Sequence, residues 1–145
     1  MAKLLVVLAF AWPLLLAGGV WAHAHDGPRW LTAAAYLSAS RVCHQKPERS
    51  FTTAGVQWPV CGRCSGLYLA APLGAVAALG ARRRTGRRAI AWFAVAAAPT
   101  AVVWAVEILH IAPVSSVVRA VAALPLGFAV ALLIVGVTRP PRAIG

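Results

Sequence analysis

The sequence predicts an all-α integral membrane protein: a four-helix bundle with an amphipathic interfacial helix and a Cys/His-rich outer loop. Three observations lead there. Of the 145 residues, 61% are hydrophobic and 12% charged, whereas a soluble domain carries about 25% charged and roughly 45–50% apolar residues. The apolar residues gather into four long runs. Most basic residues fall between those runs, where they act as topology signals. This composition argues against a disordered polar chain and against an ordinary soluble enzyme. The net charge of +11 would suit nucleic acid only if the arginines shared one solvent-facing surface. Their placement between apolar runs instead leaves membrane lipid as the partner and no nucleic acid. The length fits a single membrane domain, residues 1–145.

The first run, 4–22, follows Lys3 and ends near Ala22-His23-Ala24. It resembles a secretory signal but is read as a retained anchor. Either way the segment behind it is translocated. The second run, 65–81, is short for a span of about 20 residues. Its Gly66, Ala70 and Gly74 put small residues on one helical face, which allows close helix packing in lipid. The third run, 89–111, contains Pro99, expected to kink it mid-membrane. The fourth, 117–137, is stopped by Pro140 and Pro141. Between runs two and three lies the Arg-rich loop 82–88 with Arg82, Arg83, Arg84, Arg87 and Arg88. Lys3, this loop, Arg139 and Arg142 all fall on one side of a four-span chain. The positive-inside rule makes that side, and both termini, cytoplasmic. The loop 23–64 then faces outward.

The chemistry is concentrated in that outer loop. Arg29–Val42 fits an amphipathic helix on the membrane surface, with Trp30 and Tyr36 as interface anchors. All three cysteines follow it: Cys43 beside His44, then Cys61 and Cys64 in C-x-x-C spacing 18 residues on. Two thiolates from such a knuckle plus ligands from a second segment make a tetrahedral metal site, with Gly62 permitting the tight turn. Cys43, His44, Cys61 and Cys64 are therefore the candidate ligands, zinc the first candidate ion and another transition metal the second. Adjacent Cys43 and His44 would strain one centre, so His44 is alternatively a supporting residue and the fourth ligand comes from elsewhere. Two further readings stay open: one structural disulfide from Cys43 to Cys61 or Cys64, and a redox pair Cys61–Cys64 activated by Arg63 and the helix start. His23 and His25 would share one face of an extended segment and could bind a metal with Asp26, or lie in a solvated linker.

Ionisable residues inside spans are rare and turn toward protein. Glu107 and His110 lie three apart near the outer end of run three, and Arg119 lies at similar depth in run four. Glu107–Arg119 is the expected structural ion pair, and His110 a possible fourth metal ligand beneath the cysteine loop. No chain of acids crosses the core, so no proton path through this subunit alone is expected.

The string Cys43-His44-Gln45, Arg49-Ser50-Phe51, then Pro59-Val60-Cys61-Gly62-Arg63-Cys64-Ser65-Gly66-Leu67-Tyr68 resembles the bacterial and archaeal predicted membrane protein family called domain of unknown function twenty eighty-five. The resemblance covers about Cys43 to Val137 and includes Pro99, Arg119 and Gly127. It implies a multi-span protein of the bacterial or archaeal inner or plasma membrane with a Cys/His site, and it implies no reaction. An acid often stands in that family about a turn before the position of Glu107, where this chain has Val103.

Three functions are compatible with these residues. The first is an accessory subunit of a larger membrane complex, with a structural zinc in the outer loop and other membrane protein subunits as partners. It is motivated by clustered cysteines and the lack of a nucleophile–base–acid set. The second is a membrane thiol–disulfide oxidoreductase using Cys61 and Cys64. The third is a metal-handling or transport accessory using His23, His25 and the cysteines.

Overall fold

The computed structural model describes residues 1–81 and 86–139. Arg82, Arg83, Arg84, Pro140, Pro141 and Arg142 lie outside the described residues, and with them much of the charge on which the orientation rests. The chain forms five helices, α1 Ala2–Ala24, α2 Arg29–Ser40, α3 Gly62–Gly80, α4 Gly86–Ile108 and α5 Ser116–Val137. A 3-10 turn, Pro47–Arg49, and the strands β1 Ser50–Thr53 and β2 Val56–Cys61 separate α2 from α3. Among the described residues, α1, α4 and α5 are long and apolar enough to cross a membrane. The helix α3, 19 residues long, is not among them; Arg63 and Ser65 in its first turn lower its mean hydropathy.

Helices α3 and α5 run side by side in the same direction. Gly66 lies against Ala120 and Gly74 against Phe128. At Gly66 the approach is so close that a Cβ would collide with the Ala120 carbonyl. Absent side chains let two backbones meet where apolar burial alone gives little drive, as between lipid-embedded helices. The helix α4 lies on the far side of α5, held in part by Thr100 Oγ1, which donates to the Ala122 carbonyl at 2.8 Å. None of its residues is buried, and Trp92, Phe93, Val95 and Trp104 stay exposed. A helix apolar all round with nothing covering it suits a lipid environment.

The helix α1 runs opposite to α3. Its early residues Leu5, Val6 and Ala9 pack against Ala75, Ala78 and Val135. Its later residues Trp12 and Leu16 reach Val60, Cys43 and Tyr68, with the Trp12 and Tyr68 rings edge-on at 5.7 Å. The bundle thus has two ends. One gathers Met1, the end of α3 and Arg139, whose guanidinium donates to the Ala78 and Ala81 carbonyls and satisfies the last turn of α3. The other gathers the cysteine segment, the end of α4 and the start of α5, where Ser115 Oγ accepts from the Val118 N–H.

Helix α2 covers most of the stretch 29–42 read as an interfacial helix. The residues it buries are Ala35 and Ala39, while Trp30 and Leu37 are exposed. Small residues let α2 lie close on α1 at Gly19, so the bulky apolar side chains point outward. The polar stretch 52–57 folds as an antiparallel hairpin, Thr52 opposite Gln57 and Thr53 opposite Val56. Its turn residues Ala54 and Gly55 both have positive φ, 50° and 77°, the combination a two-residue hairpin turn needs.

The α3–α5 contact yields a direct test. Gly66→Ala should destabilise the protein by about 1–3 kcal/mol through overpacking. Gly136→Ala, where the added carbon meets open space, should cost nothing and gain about 0.5–1 kcal/mol from helix propensity. Thermal unfolding of both variants in the same detergent reads the difference; equal midpoints would refute the tight contact.

Candidate metal or thiol site at the start of helix α3

Three local structures carry the three cysteines to one place. Cys43 closes the end of α2, its N–H donating to the Ala39 carbonyl at 2.9 Å. A ring of hydrogen bonds then sets the return path. Gln45 Nε2 donates to the Tyr36 carbonyl at 2.9 Å, Gln57 Nε2 to the Gln45 carbonyl at 2.7 Å, and the Tyr36 hydroxyl to the Gln57 carbonyl. That ring fastens the hairpin to α2, and Gln45 takes a positive φ of 50° to make the bend. Strand β2 ends at Cys61, which is the N-cap of α3, and Cys64 sits in the first helical turn. At the other face of the hairpin, Ser116 Oγ donates to the Ser50 carbonyl at 3.3 Å.

The ligand atoms of Cys43, Cys61 and Cys64 lie within 4.8 Å of one another, and all three are free thiols. Cys43 is buried and the other two are partly buried. The Cys61 N–H donates to Cys43 Sγ at 3.2 Å. The Cys64 thiol donates to Cys61 and, against the upward push of burial, brings Cys61 down to about 5, with backbone N–H groups of Cys64 and Arg63 assisting. Donors converging on sulfur favour the thiolate, which is both the nucleophile and the metal ligand. The donor set fits a thiophilic ion. Sulfurs around tetrahedral zinc at 2.3 Å stand about 3.8 Å apart, a separation inside the 4.8 Å within which all three sulfurs lie here. Gly62 is needed for a reason other than a turn: it is helical, and a Cβ there would run into the Ser116 carbonyl.

No histidine joins the three sulfurs among the described residues. His44 is exposed beside inward-turned Cys43, as expected for neighbours in a non-helical segment that point apart. His23 and His25 do not lie in an extended segment. His23 is helical and its ring rests on Tyr36 at 5.9 Å. His25 ends α1, stacks on Trp21 at 5.3 Å, and has Nδ1 3.0 Å from the Trp21 carbonyl. His110, at a positive φ of 52° and exposed, follows α4 on the side of the charge network rather than with the sulfurs.

That network holds Glu107 between two arginines. Arg119 Nε donates to Glu107 Oε1, and Arg63 Nη2 donates to Glu107 Oε2 at 2.7 Å. Depth in the spans pairs Glu107 with Arg119, as found, and gives no sign of the second partner, Arg63. One signal was available: the chain has three acidic residues in all, Asp26, Glu48 and Glu107, so Glu107 is the one acid in the bundle that an inward arginine could reach. Arg63 stands between Cys61 and Cys64, so this one segment presents thiols to α1 and α2 and a guanidinium to α4.

Removing Glu107 should leave two arginines without their anion. Glu107→Gln is expected to cost about 3–5 kcal/mol, the range for breaking a buried pair from one side. Leucine at positions 63, 107 and 119 together should recover most of that loss. Denaturant midpoints of the single and triple variants decide the matter; a triple variant no more stable than Glu107→Gln would show that the three do not act as one network.

A family model described as predicted membrane protein (DUF2085) matches residues 43–133, which spans both cysteine segments, Glu107 and Arg119. An uncharacterised protein of the archaeon Methanothermobacter thermautotrophicus is 57% identical over 30 residues, 21% of this chain and 27% of that protein. The matched stretch thus spans about a quarter of that relative's length. No solved structure matches. With the family model covering well over half of the chain, the protein belongs to the DUF2085 family of predicted membrane proteins.

Proposed function

We propose that the chain is a small four-span membrane protein in which Cys43, Cys61 and Cys64 hold one zinc ion in a structural centre, and that it serves as an accessory subunit of a larger complex in the bacterial or archaeal plasma membrane. The observation that carries the reading is the meeting of three free sulfurs from two segments 18 residues apart. Zinc suits them because it takes thiolates in a tetrahedron and needs no redox partner. The ion would clamp the end of α2 and the hairpin onto the start of α3. His44 and His110 stand outside the sulfur group, so the fourth position falls to water or to a donor from a neighbouring subunit. The exposed apolar side chains of α4 offer a surface for lipid or for such a neighbour.

Elemental analysis of detergent-purified protein should find one zinc per chain, and Cys61→Ser should abolish it. Chelation should leave the helices intact and make the hairpin 50–61 sensitive to protease. Metal-free protein with a hairpin equally protected would reject the clamp. A second reading, thiol–disulfide exchange through Cys61 and Cys64, is favoured by the lowered Cys61. It expects alkylation of the metal-free protein at Cys61 to be half-maximal near pH 5 and to stay at its plateau at neutral pH, since a depressed thiol is ionised above its own value. Alkylation that rises only above pH 8 would exclude an activated thiol.

The cysteine end of the bundle is proposed to face outward, with α3 as the fourth span. The end holding Met1 and Arg139 then carries the positive charge, as cytoplasmic ends do. A tag inserted at Thr53 should be reached by protease in outer-permeable cells, and reporters near Gly86 and after Gly145 should be active only in the cytoplasm. A protected Thr53 tag would invert the assignment.

A further inference from the structure

A cavity of about 340 Å³ opens beside the charge network where α4 passes over to α5. Its lining includes Arg49, Glu107, His110, Ile111, Pro113 and Arg119. Three properties distinguish it from a packing defect. Its charge is unbalanced: Glu107, the one carboxylate in the lining, has both oxygens engaged by Arg119 and the adjoining Arg63, while Arg49 lines the same cavity. Arg49 forms no ion pair among the described residues, and it stands in the 3-10 turn just before β1, facing this cavity from outside the bundle. The third property concerns Arg119. It is 8% exposed, and its Nη1 is buried without a hydrogen-bond partner; Arg63 Nε is likewise buried and unpaired. A buried guanidinium donor left unpaired is costly. A cation excess at the end of two apolar helices is costlier still unless an anion neutralises it.

We propose that this cavity is a binding site for a phosphate-type oxyanion, held by Arg49 and Arg119 with His110 at the rim. Guanidiniums pair with phosphate oxygens through two parallel N–H donors, and Arg119 has Nη1 to spare once Nε is committed to Glu107. The volume exceeds what one inorganic phosphate needs, so the anion carries a substituent. Ala112, Pro113 and Val114 line it together with exposed Ile111 as an apolar rim. This apolar rim favours the phosphodiester headgroup of an anionic phospholipid over a soluble phosphate ester. The site is separate from the cysteine cluster, and the proposal holds whether or not a metal binds there.

The test is native mass spectrometry of the full chain released from micelles doped with phosphatidylglycerol or phosphatidylcholine, alongside titration with sn-glycerol 3-phosphate. The wild type should retain one phosphatidylglycerol in preference to phosphatidylcholine. Arg49→Gln, a change at an exposed residue outside the Glu107 network, should weaken retention about tenfold, the scale of one charge-assisted hydrogen bond; Arg49→Lys should restore part of it. Displacement of the lipid by sn-glycerol 3-phosphate at comparable concentration would assign the site to a soluble phosphate ester, and resistance to displacement would assign it to the lipid. Equal retention by wild type and Arg49→Gln, equal retention of the two lipids, or no retention of any phosphate compound would overturn the proposal. Zinc content measured on the same samples separates a failure here from a failure of the metal reading.

Discussion

The backbone contact between α3 and α5 is the constraint on which the rest of the molecule depends. Two parallel helices meet at Gly66 with no side chain between them, so the start of α3 is pinned beside Ser116 and the start of α5. Everything chemical in the protein hangs from that junction. Cys61 and Cys64 are there because they begin α3. Arg119 is there because it lies one turn into α5. A larger residue at the interface would move the thiols and the guanidiniums together. In lipid, where apolar surface is no reason for helices to associate, such close approach and a few interhelical polar bonds supply the attraction. The Thr100 bond to Ala122 and the Glu107 bonds to Arg63 and Arg119 are of this second kind.

Glu107 has a larger part than a pairwise reading suggests. A carboxylate with one arginine pins two helices; with two it ties three, since Arg63 belongs to α3, Glu107 to α4 and Arg119 to α5. Helix α4 buries none of its residues, and its carboxylate and its Thr100 hydroxyl are polar ties that join it to its neighbours. The cost of concentrating this on one acid is a surplus of positive charge at that end. The surplus appears as unpaired guanidinium nitrogens on both arginines. Charge surplus and adjacent cavity are two aspects of one arrangement.

The long apolar segments were the readable part of the sequence. The run 117–137 corresponds to α5 within one residue and 4–22 to most of α1, because hydropathy over about 20 residues is a strong signal. The start of α3 was placed late, at 65 instead of 62, because Arg63 and Cys64 read as loop when they are the polar first turn of a helix. The hairpin escaped notice for a local reason. Its turn is Ala54-Gly55 in place of Asn-Gly or Asp-Gly, and its strands have four and six residues, too short for alternation to stand out. The three cysteines could be grouped from spacing alone, and the strain of adjacent Cys43 and His44 on one centre left His44 as a ligand or a supporting residue without deciding between them. Which neighbour of Cys43 turns inward is decided by the bond ring through Tyr36, Gln45 and Gln57, a tertiary feature joining residues up to 21 apart.

Arg63 connects the two chemical centres. The segment Cys61-Gly62-Arg63-Cys64 joins the end of β2 to the first turn of α3, and its side chains diverge: sulfurs toward Cys43, guanidinium toward Glu107. Gly62, between them, is pressed against Ser116 with no space for a side chain. A residue change that shifts this segment would therefore displace the sulfurs and the guanidinium together, so the cysteine cluster and the Glu107 network share one placement constraint although each has its own chemistry.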